Sequence, residues 1–381
     1  MDNSGIYIHV PFCIRKCLYC GFFSVPLNNE LMSKYCSALK KELQFRADSA
    51  QGYTFTSLYL GGGTPSLLPF KELTNIINLC MNLYHFDNQA EITIEANPSS
   101  LSDMKIQQLA ELPINRISLG IQSCDDNILK AIGRPHCTHD SYHIYEQLRK
   151  TGFKNISIDA IFALPGQTMN QWKDSLQKIL SLRPEHISLY CFTYDPGSEM
   201  YHRYKKGELP EPDELKESEM YKIAIETVRN GGYIHYEISN FALQGLESRH
   251  NMIYWKNKPY WGFGPSAFSF VDGYRFSAPA SIMEYIKKCD ANIDELYHDR
   301  EKLEEERSLH ETAALNMRLL KEGIYIPELE NRYPGLSPYQ ILRDALGILL
   351  EEEMIQKIDN QRFCLTDKGI LFADYVSSQL I

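Results

Sequence analysis

The chain has 381 residues, 44% hydrophobic and 23% charged, enough for one large core and a smaller second one. Lys and Arg total 39 against 49 Asp and Glu, a formal charge of −10 at pH 7. An acidic chain argues against nucleic acid as the main partner, because phosphate binding needs a basic face. No secretory or membrane-spanning run opens the sequence, which leaves only peripheral membrane contact open.

Ile6-Tyr7-Ile8-His9-Val10 reads as a short strand, broken by Pro11. Cys13, Cys17 and Cys20 follow on the loop, at the spacing C-x3-C-x2-C. Three thiolates on one short loop suit a soft metal centre. A structural zinc site calls for a fourth ligand from a second CxxC or His pair, and none lies nearby. Three ligands suit a cubane iron–sulfur cluster with one iron left open. The alternative, three incidental thiols, leaves the spacing unexplained. The other seven of the ten cysteines are scattered and read as structural. A tight thiol cluster fits a reducing cytoplasm better than an oxidising compartment.

Strand and helix patterns then alternate. Leu31, Tyr35, Leu39 and Leu43 recur every four residues, the mark of an amphipathic helix. The spacing predicts strands at 57–60, 91–96, 116–121, 156–161 and 187–191. It predicts helices at 70–83, 101–112 and 171–182, and a helical pair over about 125–150. With the strand before the cysteines this makes six βα units, and hence a parallel sheet with helices outside. Eight units close a barrel, so six predict an open, partial (β/α)6 barrel. A helix at 213–230 and a strand at 234–238 follow. The expected division is a partial barrel over 1–240, an irregular aromatic-rich connection over 241–298, and a C-terminal unit over 299–381. That last unit reads as a long helix to 320, a helix at 338–353, a hairpin at 355–365 and a final helix at 368–378. This order suggests a winged-helix-like α+β module. Glu351-Glu352-Glu353 rules out a basic recognition helix there.

Chemistry-bearing residues gather at the predicted strand ends. Gly61-Gly62-Gly63-Thr64-Pro65 offers unscreened backbone N–H groups, suited either to an amine-carboxylate ligand or simply to a tight turn. A side chain at Gly63 is expected to obstruct the ligand. Glu95 ends the next strand and is suited to an ammonium or ribose hydroxyls, or to a structural ion pair. Gln122, Arg134 and Asp159 add donors and acceptors on the same rim, and Arg134 is suited to a carboxylate in bidentate fashion.

The cysteine stretch, with Tyr19 before the last thiol, resembles the signature of the radical S-adenosylmethionine (SAM) enzymes. Tyr7-Ile8-His9-Val10-Pro11-Phe12-Cys13, Gly61-Gly62-Gly63-Thr64-Pro65, Glu95-Ala96-Asn97-Pro98 and Ser118-Leu119-Gly120-Ile121-Gln122-Ser123 resemble the oxygen-independent coproporphyrinogen III oxidase family. So do Leu164-Pro165-Gly166-Gln167-Thr168, Tyr236-Glu237-Ile238-Ser239-Asn240-Phe241 and His250-Asn251-Met252-Ile253-Tyr254-Trp255. The resemblance implies a radical SAM partial barrel in which Cys13, Cys17 and Cys20 bind a 4Fe–4S cluster. It implies a SAM pocket lined by Tyr7, Tyr19, Gly62, Gly63, Thr64, Glu95, Gln122, Arg134 and Asp159.

Two branches of that family differ. The oxidases extend the motif to a fourth cysteine, where this chain has Phe22, and they carry an extension before the first strand. The haem-chaperone branch keeps three cysteines, a short N-terminus and the H-N-x-x-Y-W stretch. The chain resembles that branch. The implied function is to bind haem and deliver it to acceptor haemoproteins, and the alternative is an oxidase or another radical SAM enzyme. His250 is the candidate haem ligand, since neutral imidazole ligates haem iron; the alternative is a hydrogen-bonded histidine in a packed section. Relatives often carry a further histidine where this chain has Phe268.

Overall fold

The protein is described by a computed structural model covering residues 3–297 and 300–381. Six strands form its centre: β1 (Asn3–Val10), β2 (Thr54–Gly62), β3 (Phe86–Ala96), β4 (Arg116–Gln122), β5 (Ile156–Phe162) and β6 (His186–Cys191). They pair in that order and all in parallel. Helices Asn29–Arg46, Phe70–Leu83, Asp103–Ala110, Thr138–Thr151 and Met169–Leu182 cross between successive strands.

Side chains alternate along a strand, and here the two faces have different chemistry. Ile6, Ile8, Leu58, Leu60, Ile92, Ile94, Ile117, Leu119, Ile156, Ile158, Ile187 and Leu189 are buried in the main core with Tyr35, Leu39 and Leu43 of the first helix. The intervening positions are polar and bond across strands: Tyr59 to Glu95, Ser118 to Asp159, Ser157 to His186. Parallel strands buried on both faces usually read as continuous apolar runs. The alternation here marks a polar interior.

The sheet continues past both ends of this set. On one side β7 (Ile234–Glu237) and β8 (Asn240–Ala242) add antiparallel to β6. On the other, β9 (Tyr260–Phe263) pairs in parallel with β1, followed by antiparallel β10 (Phe268–Val271), β11 (Tyr274–Ser277) and β12 (Glu301–Lys302). The resulting 12-stranded sheet runs from β12 to β7 without closing. The described residues between 241 and 297 thus include three strands of this sheet. These four-residue strands, interrupted by Gly262 and Gly264, are too short to show a period in the sequence. The division expected at 298/299 falls on residues outside those described.

Helix Arg249–Trp255 packs against β1 and β2. The Glu91 carboxylate accepts the N–H groups of Arg249 and His250 at its first turn, where an anion is favoured. Helix Asn29–Arg46 is tied to the added strands by two buried charges, Glu42 and Arg46, bridged by the Tyr297 hydroxyl. Glu42 accepts the Gly264 N–H at 2.8 Å and the Tyr285 hydroxyl at 2.6 Å. Arg46 donates to the Gly262 carbonyl at 2.6 Å and lies over the Trp261 and Phe263 rings.

A second core gathers Leu309, Met317, Leu342, Leu346, Phe363, Leu365, Val376 and Leu380. It holds helices Glu305–Met317 and Pro338–Glu351 and a three-stranded antiparallel sheet containing the hairpin Ile355–Lys357 and Arg362–Leu365. Helix Glu305–Met317 is shorter than expected, and the final helix breaks at Phe372 into Asp367–Leu371 and Ala373–Leu380.

Arg46→Met leaves Glu42 buried without its counter-charge. It should lower stability by about 3–5 kcal/mol in urea unfolding. Glu42→Gln combined with Arg46→Met should recover part of that loss. An additive double variant would show that the two side chains do not interact.

Candidate functional site

The C-terminal ends of the parallel strands meet at one rim, and the cysteine loop lies across it. Val25 N–H donates to the Pro11 carbonyl and Leu27 N–H to the Cys13 carbonyl, closing the loop at its base. At its tip, Leu18 donates its N–H to the Ile132 carbonyl at 3.1 Å and accepts the Met200 N–H at 2.9 Å. Leu18 and Tyr19 pack on a small apolar cluster of Ile128, Ile132, Ile161, Leu164, Phe192 and Met200. His9 adds a third hold. Its Nε2 lies 2.8 Å from the Phe23 carbonyl and its Nδ1 3.0 Å from the Tyr7 hydroxyl. Burial lowers its pKa and keeps it neutral.

The glycine run approaches this loop closely. Gly63 N–H donates to the Val10 carbonyl at 2.8 Å. A Cβ on Gly63 would stand 2.7 Å from the Phe12 carbonyl oxygen and 2.8 Å from that of Val10. Gly62 has φ +105°, and a Cβ there would stand 2.5 Å from the His9 ring. A side chain at Gly63 would thus meet the backbone of the cysteine loop, not the ligand as expected from the sequence.

Below the loop lies a cavity of about 460 Å³. Cys13, Cys17, Cys20, Tyr19, Gly62, Gly63, Thr64, Glu95, Gln122, Arg134 and Asp159 all line it. Arg134 donates to Cys17 Sγ at 3.3 Å and to Asn97 Oδ1 and the Gly120 carbonyl at 2.5 Å each. Thr64 Oγ1 lies 3.7 Å from Cys13 Sγ. Gln122 Oε1 and Arg134 Nε are buried without a partner, and Gln122 holds a left-handed φ of 69°. These two atoms line the cavity, so a polar ligand there could pair them.

Glu95 accepts the Tyr59 hydroxyl at 2.8 Å and the Gly62 N–H at 3.0 Å. Burial, with repulsion from Asp159, still pushes its pKa up to about 7. Burial raises Asp159 as well, although Ser118 Oγ donates to it at 2.8 Å. Burial raises the Cys13 thiol and pushes Cys20 up to about 11.

Three soft sulfur donors on one clamped loop, backed by a cationic Arg134, fit a cubane cluster. Among the described residues no three His, Cys, Asp or Glu side chains could hold a single metal ion. A cubane does not require that, because each thiolate takes its own iron.

Two expected positions lie elsewhere. Tyr7 sits beneath the floor, stacked on Tyr59 and bonded to His9. His250 is 1% exposed inside the barrel. Its Nδ1 lies 2.8 Å from Ser57 Oγ, its Nε2 2.9 Å from the Tyr254 hydroxyl, and its ring stacks on Tyr59. Burial, then the charge of Arg116, lowers its pKa to about 3. In this arrangement both ring nitrogens are engaged, so ligation of haem by His250 would require these two hydrogen bonds to open. Sequence reading also missed Tyr59 and Asn97. Tyr59 shares a strand face with Gly61, so alternation alone could have found it.

The family model described as the radical SAM superfamily matches residues 7–179. The chain is 34% identical to the "Heme chaperone HemW" of Lactococcus lactis subsp. lactis, across 99% of this chain and 97% of that protein. It is 33% identical to that of Bacillus subtilis, across 98% of each. It is 31% identical to the mitochondrial radical S-adenosyl methionine domain-containing protein 1 of Danio rerio, across 97% of this chain and 83% of that protein. Coproporphyrinogen III oxidase (HemN) from Escherichia coli, a radical SAM enzyme, shares the fold with a TM-score of 0.86. That match has 20% identity and covers 100% of this chain and 90% of the other.

Two outcomes follow from the geometry. Gly63→Ala should displace the cysteine loop and lower the iron bound after anaerobic reconstitution; full iron content would show that the loop adapts. Glu95, with a pKa raised to about 7, binds a proton more tightly folded than unfolded. It therefore removes stability as pH rises from about 4.5 through 7. Glu95→Gln should stabilise the protein without SAM by on the order of 3 kcal/mol at pH 8 and by little at pH 4.5. A gain independent of pH would contradict the assignment.

Proposed function

The chain belongs to the HemW-type branch of the radical SAM superfamily, and on that premise we propose that it is a haem chaperone, binding haem and delivering it to acceptor haemoproteins. The family implies a 4Fe–4S cluster and SAM. Cys13, Cys17 and Cys20 would hold the cluster. When bound, such a cluster would supply an electron to SAM held beside it. The rim of Gly62, Thr64 and Glu95 would receive the SAM amino acid, while Gln122 Oε1, Arg134 and Asp159 would bond its remaining polar groups. The observation that supports this most directly is the convergence of three clamped thiols and orphaned polar atoms on one cavity.

Phe22 stands where the oxidase pattern has a fourth cysteine, which favours the chaperone over coproporphyrinogen III oxidation. Tyr7 and His250 serve from beneath the floor, Tyr7 by orienting His9 and His250 by packing on Tyr59. The reading assigns the protein to the cytoplasm, where its thiols stay reduced. Among the described residues no helix is long and apolar enough to cross a membrane.

Anaerobic reconstitution should give about four irons per chain, and Cys17→Ser should lose them. The reconstituted protein should retain haem through gel filtration, pass it to an apo-haemoprotein, and leave coproporphyrinogen III unconverted. Turnover of coproporphyrinogen with SAM consumption, and no haem retained, would restore the oxidase.

A further inference from the structure

A line of aromatic rings runs from the cavity floor through the interior of the barrel. Tyr59 lines the cavity, and its hydroxyl donates to Glu95 at 2.8 Å. The His250 ring stacks on Tyr59 with centres 5.0 Å apart, and Tyr254 meets His250 edge-on at 4.9 Å. Tyr260 follows, 4.7 Å from Tyr254. His250 and Tyr254 are four residues apart on helix Arg249–Trp255, which puts them on one face. Tyr260 opens β9 and pairs beside Gly5, at the end of the sheet opposite the cysteine loop. The line thus crosses the barrel to its far end, where Tyr254 and Tyr260 are half-buried. Packing alone does not require the partners these hydroxyls have. Tyr35, Tyr84 and Tyr233 donate to backbone carbonyls, which take no proton. Tyr59 meets a carboxylate, and the Tyr254 hydroxyl lies 2.9 Å from Nε2 of the neutral His250 ring. Burial raises the pKa of both tyrosines, so neither ionises alone. Each gives up an electron only if its base takes the proton.

We propose that Tyr59, His250, Tyr254 and Tyr260 form a one-electron relay that carries an oxidising equivalent from the cavity to the far end of the barrel, where a thiol quenches it. This rests on the radical SAM reading of the cavity, because the oxidant is a carbon-centred radical, the product of one-electron cleavage of a sulfonium. The radical takes the hydrogen atom of the Tyr59 hydroxyl: a C–H bond forms and the O–H bond breaks. Tyr254 then returns an electron to Tyr59 across the His250 ring. Glu95 supplies the proton that Tyr59 regains, and His250 Nε2 takes the proton that Tyr254 releases. The His250 tautomer that does this donates Nδ1–H to Ser57 Oγ, 2.8 Å away. The thiol reduces Tyr254 by way of Tyr260, and His250 gives its proton back. The proton lost by the thiol restores Glu95. The net change turns one carbon radical and one thiol into one C–H bond and one thiyl radical. Such a relay protects the clamped thiols from a radical that meets no substrate.

The test is electron paramagnetic resonance on the reconstituted protein, mixed with SAM and dithionite and then frozen, with no haem or acceptor present. Wild-type protein should show an organic radical whose signal narrows when its tyrosines carry ring deuterium. Tyr59→Phe should lose this tyrosyl signal; a signal kept there would place the entry elsewhere and overturn the relay. Tyr254→Phe should hold the radical on Tyr59 and slow its decay on added thiol by about tenfold. Tyr260→Phe, which leaves the His250 hydrogen bonds intact, should slow it too. Iron content and 5′-deoxyadenosine, the product of the quenched radical, should stay at wild-type levels in these two outer variants. 5′-Deoxyadenosine formed by the wild type without a tyrosyl radical would overturn the relay and leave the radical SAM reading standing. Equal decay in the wild type and both outer variants would make the rings a dead end, and loss of iron from both would assign them to the fold; either result overturns the relay. SAM bound by the wild type but not cleaved would leave the relay without its oxidant and overturn it. Wild-type protein with full iron content that binds no SAM would overturn the reading of the cavity, and the relay with it.

Discussion

Leu18 is gripped by its backbone on both sides, by the Ile132 carbonyl and the Met200 N–H, while its side chain sits on an apolar cluster. The thiols lie on a short loop whose only regular structure is the two-residue pairing of Phe12–Cys13 with Val25–Pro26 at its base. Without the grip, ordering that loop would cost on the order of 1–2 kcal/mol per residue in backbone entropy alone. The grip comes from opposite directions in the chain, from the helix after β4 and from the helix that starts at Glu199. The thiol geometry therefore depends on the whole parallel sheet being in register, and not on the cysteine motif by itself. Gly62 and Gly63 complete the arrangement by letting strand β2 lie against the loop where any side chain would intrude.

The polar interior poses a second physical problem. Arg116, Glu91, His186 and His250 are all buried beneath the cavity. Such groups are tolerated only when partnered. Arg116 is balanced by the Glu91 charge at 3.9 Å, though its Nε makes no hydrogen bond, and the Glu91 carboxylate also receives the first N–H groups of helix Arg249–Trp255. His186 lies between Ser157 and Tyr236, as His250 lies between Ser57 and Tyr254. Burial keeps both imidazoles neutral, and the Arg116 charge acts in the same direction. The floor of the cavity is thus a rigid hydrogen-bonded layer, on which Glu95 and Asp159 remain the polarisable groups facing a ligand.

The alternation of Ile, Leu and polar residues along the six strands made the partial barrel readable, because one strand face packs on helices and the other on the interior. The rim residues were readable for the same reason: strand ends in such a sheet converge. Strands β9 to β11 were not, since four-residue segments held by cross-chain bonds such as Arg46 to Gly262 have no local period. His250 could be read two ways, because an imidazole able to ligate iron and one satisfied by a serine and a tyrosine look alike in sequence; the hydrogen bonds to Ser57 and Tyr254 are what the structure adds. Gly63 misled because sequence shows where backbone must come close but not to what. The clamp on Leu18 depends on partners 114 or more residues further along, at Ile132 and Met200, and leaves no mark in the motif.

On the proposed reading, Cys13, Cys17 and Cys20 would hold the cluster and the glycine rim would receive the amino acid end of SAM beside it. Electron–nuclear double resonance on the reduced, reconstituted protein with SAM labelled at its amino nitrogen and carboxylate oxygen tests it directly. The account predicts hyperfine coupling from both labels to the cluster. A cluster whose spectrum is unchanged by SAM, with no coupling from either label, would contradict it.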